Sequence, residues 1–344
     1  MNKLKVLIVD DSPIVCELLR SIIENDTSLT VIGEAENGRE ACIMTARLRP
    51  DIITMDINMP VMDGLHAIEE IMAENPTPIL VLTSSKDAAT AYHAIMKGAV
   101  DVSEKPTLDS ASIKIFHRKL HTIAALKVIR HMRSNKTRVS AELNPQTKTI
   151  GYPELFPIIG IASSTGGPKA LVEIFKRLPA HFPAAIVVAQ HIGNGFTDGL
   201  ISWLNDVSPL KAQLAEEQQL IVPGTIYIPP DNHHIEVRNN RTLHTPHKMS
   251  GDVYTPSADR LFYSIGKLNG SGIGIVLSGM GRDGADGIIS VKHSGGVTIA
   301  QDEESSVIYG MPKAAVETGC IDHILPLSGI ADKLIKVTAE RHRL

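Results

Sequence analysis

Short β-rich runs alternate with helix-length segments along almost the whole chain, and a single polar stretch near the middle breaks the alternation. Up to about Pro106 the runs are Lys5–Val9, Thr30–Ala35, Ile52–Met55, Ile79–Leu82 and Ala99–Val102. After the polar stretch they are Ile158–Ala162, Ala185–Ala189, Gly274–Leu277 and Val297–Ala300. Alternation of this kind implies a parallel sheet covered by helices on both faces, so the expected fold class is α/β with two doubly wound sheets. Gly224–Ile228 and Ile235–Val237 are expected to form a smaller β element beside the second sheet. A helix is expected from about Ser112 to His131, with Ile113, Phe116, Leu120, Ile123 and Ala124 as its apolar stripe. From Arg133 to about Leu155 the chain is polar and aperiodic, which reads as a tether. The expected division is 1–125, a linker at 126–155, and 156–344. No repeat of solenoid period occurs.

Composition narrows the function classes. With 344 residues, 43% of them hydrophobic, the chain can bury more than one core. A net charge of -4 and the lack of a basic stripe with interleaved aromatics argue against nucleic acid as a partner. The apolar run at Val6–Val9 is too short for a signal peptide, and no stretch reaches the roughly 20 apolar residues of a spanning helix. Cys16, Cys42 and Cys320 lie far apart without paired spacing, so a disulfide framework or zinc site is not expected. Reduced thiols and a cytoplasmic location, without membrane insertion, are the expectation.

In an open parallel sheet, ligands bind beyond the carboxyl ends of the strands. In the first half that edge receives Asp10 and Asp11 after the first strand, Asp56 after the third, Thr83 after the fourth and Lys105 after the fifth. Three crowded carboxylates repel one another unless a hard cation neutralises them, and Mg²⁺ with oxygen ligands suits them. A hydroxyl and a lysine opposite would suit an acyl phosphate on Asp56. Taken singly, an aspartate often caps a helix, and Lys105 before Pro106 could be an ordinary turn. With Asp10-Asp11-Ser12-Pro13, Asp56-Ile57-Asn58-Met59-Pro60 through Gly64, and Lys105-Pro106, this half resembles the receiver domain of bacterial response regulators. The resemblance implies a flavodoxin-like fold, Asp56 as the phosphorylated residue and a sensor histidine kinase as phosphodonor. It also implies Asp10, Asp11 and Asp56 as Mg²⁺ ligands with Asn58 lending a carbonyl, and Thr83 and Lys105 contacting the phosphoryl group. Val102 stands where receivers often carry an aromatic switch residue.

In the second half, the strand at Ile158–Ala162 runs into Ser163-Ser164-Thr165-Gly166-Gly167-Pro168, which puts a hydroxyl on a tight strand-to-helix turn. Such a turn displays a nucleophile, or cradles a phosphate on the helix N-terminus. His191 follows the next strand, and Asp283 follows Gly272–Leu277, so a serine, a histidine and an aspartate exit on one edge. That is the inventory of a nucleophile, a general base and the carboxylate that orients the base. Histidine suits the proton transfer because its ordinary pKa, about 6.5, lies near working pH. Ser163 competes with Ser164, and Asp302 and Asp286 compete with Asp283. A calcium loop around Asp283 lacks its closing glutamate, and His233-His234 lacks partners for zinc. Gly-x-Ser-x-Gly would need glycine at Ala162, and the glycines do not have dinucleotide-fingerprint spacing.

Ala162 through Pro168, Gln190-His191 with Gly195-Phe196-Thr197, Pro256-Ser257-Ala258-Asp259, Gly279 through Gly284, Ala300 through Ser306, and Gly310 through Ala315 together carry a resemblance. The second half resembles the catalytic domain of the chemotaxis protein-glutamate methylesterases. The resemblance implies a Rossmann-like hydrolase with Ser164 as nucleophile, His191 as base, Asp283 as its partner, and the backbone N–H of Met280 in the oxyanion hole. Asp302 then has a structural role or supports the site from behind the reacting residues, and no cofactor is expected for the esterase. The implied substrates are glutamyl methyl esters, and glutamine side chains, on methyl-accepting chemoreceptors. The loop Ile192-Gly193-Asn194 lacks the proline usual after the histidine. Two complete sites on one chain raise the expectation that the unphosphorylated receiver restricts access to Ser164. The competing reading is a receiver with a catalytically silent, partner-binding output.

Overall fold

A computed structural model describes residues 3–84, 88–126, 156–268 and 270–341. Most of the expected linker, and the expected helix beyond Leu126, therefore lie outside the described residues. The first half runs β1 (Leu4–Val9), α1 (Pro13–Glu24), β2 (Leu29–Ala35), α2 (Gly38–Leu48), β3 (Ile52–Met55), α3 (Gly64–Glu74), β4 (Ile79–Thr83), α4 (Ala88–Lys97), β5 (Asp101–Glu104) and α5 (Ser110–Ala124). Its five strands are parallel in the order β2-β1-β3-β4-β5, the flavodoxin-like arrangement. Local chemistry starts the helices. Pro13 opens α1 behind Ser12, and the Asp63 and Asp109 carboxylates accept the first free N–H groups of α3 and α5. The fifth strand begins two residues later than expected. Gly98, at φ 118°, closes α4, and Ala99 N–H bonds back to Ala94 O, so these residues end the helix before the strand can begin.

The second half runs β6 (Ile158–Ser163), α6 (Gly167–Phe175), β7 (Ala185–Gln190), α7 (Thr197–Val207), β8 (Lys211–Leu214), β9 (Thr225–Ile228), β10 (Glu236–Val237), β11 (Leu243–His244), α8 (Ala258–Ile265), β12 (Gly272–Val276), α9 (Ala285–His293), β13 (Val297–Gln301), α10 (Met311–Glu317), β14 (His323–Leu325) and α11 (Leu327–Arg341). Seven strands form one parallel sheet ordered β14-β13-β12-β6-β7-β9-β8. The expectation for Gly224–Ile228 is corrected here. β9 is buried along its length and lies between β7 and β8 in the main sheet, so the small β element is only the β10–β11 pair. β8 and β14 are edge strands that the sequence pattern does not reveal.

The halves share an apolar core. A continuous cluster runs from Ile68, Ile71 and Ile95 of the first half to Leu200 and Trp203 of the second, where Tyr92 stacks on Trp203 at 5.4 Å between ring centroids. A stacked pair of this kind contributes about 1 kcal/mol beyond its buried area. Among the described residues, no helix is long and apolar enough to cross a membrane.

Candidate functional site

β6 has β7 on one side and β12 on the other, so the chain order reverses at β6 and a crevice opens beyond its carboxyl end. Ser163 closes β6 with its side chain turned inward, where Oγ donates to Gln190 Oε1 at 2.6 Å. Ser164 stands next, on the turn. Its N–H bonds to Ser278 O at 3.0 Å and its C=O accepts from Gly167 N at 2.8 Å. The Gln190 amide donates to Ser164 O at 3.0 Å and to His191 O at 2.8 Å, so one side chain ties the serine turn to the histidine loop. The glycines after Ser164 permit this closeness. Gly166 has φ 79°, and a Cβ at Gly167 would collide with Gln190 Oε1.

His191 Nε2 lies 2.8 Å from Asp283 Oδ2, in a pair whose side chains are only 14% and 2% exposed. Asp283 also accepts from Ala258 N at 2.7 Å, Asp259 N at 3.0 Å and Ser257 Oγ at 3.2 Å, so it sits on the N-terminus of α8. Burial pushes the Asp283 carboxyl upward, but the bond and charge of His191 and the two α8 N–H groups outweigh it and hold the group below the ordinary carboxylate range. Tyr254 stacks flat on the His191 ring, 4.8 Å between centroids and 6° between planes. With Nε2 engaged by Asp283, Nδ1 is the ring nitrogen that this bond leaves over. Among the described residues no hydrogen bond joins Ser164 to His191, a looseness common before substrate binds.

The competing residues lie elsewhere. Asp302 turns its carboxylate onto Ser305 N and Oγ at 3.0 and 2.6 Å, closing its own loop. Asp286 pairs with Arg282 on the surface at 2.8 Å. His233 Nδ1 bonds Asp231 O, and its ring meets His247 edge-on. Met280 follows Gly279, which packs so closely on Ser164 that a Cβ there would approach Ser164 Cβ to 2.8 Å. Gly279, the residue before Met280, therefore packs against the serine.

On the first sheet, carboxylate oxygens of Asp10, Asp11 and Asp56 lie within 4.8 Å of one another. Lys105 Nζ is 2.6 Å from Asp10 Oδ2 and 3.5 Å from Asp56 Oδ1. Burial, opposed by Lys105 and assisted by the Asp10 charge, pushes the Asp56 carboxyl up to about 6. One ammonium is thus shared between two of the three acids, and the all-oxygen donor set fits a hard divalent cation. Thr83 ends β4, buried and in register with Glu104, while Asn58 is exposed two residues beyond Asp56. Val102 is half-buried in β5.

The two sites meet through β5 and α5. Asp101, held by Lys119 Nζ at 3.2 Å, accepts a buried hydrogen bond from Thr165 Oγ1 at 2.9 Å, one residue from Ser164. Thr122 of α5 donates to the Met280 sulfur at 3.1 Å. Sequence reasoning missed these contacts, as it missed Tyr254 and the role of α8. Ser257 ahead of Asp259 is a helix-start signal, but nothing local says which carboxylate such a start receives.

The match to the family described as CheB methylesterase covers residues 159–334, and the response regulator receiver domain matches residues 6–115. A protein from Paramagnetospirillum magneticum named protein-glutamate methylesterase/protein-glutamine glutaminase 3 is 40% identical over 98% of this chain and 97% of its own. The Pyrococcus abyssi protein named protein-glutamate methylesterase/protein-glutamine glutaminase is 36% identical over 97% of this chain and 94% of its own. The crystal structure of the Thermotoga maritima CheB methylesterase catalytic domain superposes with a TM-score of 0.51 at 36% identity, covering 53% of this chain and 98% of that one.

Proposed function

Because the chain belongs to the CheB methylesterase family, we propose that it hydrolyses glutamyl methyl esters on chemoreceptors, under control of phosphorylation in its receiver domain. Ser164 Oγ attacks the ester carbonyl while His191 Nδ1 takes its proton. Asp283 holds the imidazole and stabilises the imidazolium. The Met280 N–H faces the developing oxyanion, and a donor so placed lowers the barrier by about 3 kcal/mol. The His191 proton leaves with methanol, and water then releases the glutamate through the same steps reversed. A glutamine side chain follows the same path with ammonia as leaving group. The observation that carries this reading is the bonded His191–Asp283 pair at the sheet's switch point, one strand from Ser164.

In the receiver, Asp56 accepts the phosphoryl group from a sensor kinase. Asp10, Asp11, Asp56 and the Asn58 carbonyl would hold Mg²⁺, which neutralises negative charge as the phosphoryl group arrives. Thr83 and Lys105 receive its oxygens. The domains divide as receiver 1–125, linker 126–155 and catalytic domain 156–344. The Thr165–Asp101 and Met280–Thr122 contacts support autoinhibition, because receiver side chains rest on the residue after the nucleophile and on the oxyanion residue.

Methanol release from methylated receptor membranes, with and without a small-molecule phosphodonor, tests the reading. Wild type is expected to be stimulated, and Asp56→Ala to keep its unstimulated rate but lose the response. Full stimulation of Asp56→Ala would sink the regulatory half. Loss of the interdomain hydrogen bond leads to the opposite phenotype. Asp101→Ala is expected to raise the unstimulated rate about tenfold, a typical coupling between sites, and an unchanged rate would remove Thr165–Asp101 from the inhibitory contact.

A further inference from the structure

Beside the His191–Asp283 pair lies a second histidine–aspartate pair that the mechanism above leaves unused. His234 is fully buried, with Nε2 2.9 Å from Asp252 Oδ2. Its Nδ1 lies 3.1 Å from the backbone N of Ser257. A backbone N–H can only donate, so Nδ1 accepts, and the ring proton on Nε2 goes to Asp252. Both nitrogens are thereby assigned without ambiguity. The neighbouring His233 has no comparable setting: its ring is partly exposed and edge-on to His247.

Each of these two bonds leads to His191 by a separate arm. Ser257 caps α8, its hydroxyl donates to Asp283, and the next two N–H groups, of Ala258 and Asp259, hold the Asp283 carboxylate. Asp252 accepts from Met249 N at 2.6 Å and so gathers the loop that carries Tyr254, the ring stacked on His191. One arm sets the carboxylate that orients the imidazole, and the other sets the face against which the imidazole lies. We infer that His234 is a positioning residue for the Ser164–His191–Asp283 site, bracing Asp283 through Ser257 and Tyr254 through Asp252. The inference rests on the proposed esterase reading of that site.

The role is testable because the two arms need different atoms. His234→Phe fills the ring's space but leaves Ser257 N–H and Asp252 without their partner. His234→Asn places an acceptor near the position of Nδ1 and restores the Ser257 arm. Misplacement of a reacting group by a fraction of an ångström to one ångström costs up to about 100-fold, so methanol release by His234→Phe is expected to show kcat lowered by about 10- to 100-fold with KM within about twofold. His234→Asn is expected to recover most of that loss. Asp252→Ala, at a partly exposed position, is expected to lower kcat without changing KM, and guards against His234→Phe failing to fold. Circular dichroism of each variant gives the folded fraction to which kcat is referred. A Ser164-dependent enzyme indifferent to His234→Phe and Asp252→Ala would overturn the inference alone. So would equal losses in His234→Phe and His234→Asn that follow the folded fraction. Wild-type turnover that survives Ser164→Ala would overturn the triad reading and the inference with it.

Discussion

Ser164→Ala is expected to lower methanol release from methylated receptors by about 10⁴-fold or more, the scale on which serine hydrolases fail without their nucleophile. Neither adjacent residue offers a free hydroxyl in its place. Ser163 Oγ is fully buried and donates to Gln190, while Thr165 Oγ1 donates across the domain boundary to Asp101. The fold should survive the change. The Ser164 backbone keeps its bonds to Ser278 O, Gly167 N and the Gln190 amide, and the lost hydroxyl has no hydrogen bond to His191. Removing a half-exposed hydroxyl of this kind changes stability by less than about 1 kcal/mol. Turnover per folded molecule is the measurement, and a variant within tenfold of wild type would sink the assignment.

Asp283→Asn is expected to lose about 10⁴-fold in kcat, as an amide in this role does when it leaves the histidine in the wrong tautomer. The structure adds a penalty. Asp283 receives four donors: His191 Nε2, Ala258 N, Asp259 N and Ser257 Oγ. Both carboxylate oxygens face N–H groups, so whichever way an asparagine amide is turned, its NH₂ opposes a donor in a site only 2% exposed. A buried donor left without an acceptor costs about 1–3 kcal/mol, so the thermal midpoint should fall along with kcat. The effect of Ser164→Ala on stability should be much smaller. Wild-type kcat in Asp283→Asn would move the orienting role elsewhere, with Asp302 the residue to test next, despite its bonds to Ser305.

Much of the fold was legible because two-sided burial leaves a strong mark on a sequence. β3, β6 and β7 are short apolar runs between turn residues, and their limits fall within one residue of the pattern. The failures follow from the same physics. β8 begins at exposed Lys211, and β14 is buried at neither end, so neither edge strand carries the mark. β9 does carry it, but a run of buried residues shows that a strand is covered, not which neighbour covers it. The pattern alone therefore assigns it to a side element instead of the main sheet.

The site divides in the same way. By itself, the sequence determined most of the strand ends: β1 runs into Asp10, β3 into Asp56, β6 into Ser164 and β7 into His191, while β5 reaches Lys105 only because it starts and ends two residues later than the pattern. Parallel βα units put every such end on one edge, so adjacency in sequence becomes adjacency in space. Only the tertiary structure decided that Asp283 lands on the α8 N-terminus, that Tyr254 lies on His191, that His234 bonds to both Asp252 and Ser257, and that Asp101 and Thr122 rest on Thr165 and Met280. These contacts join residues from 18 to 158 positions apart. Their energies depend on distance and burial, which no local pattern of residues records.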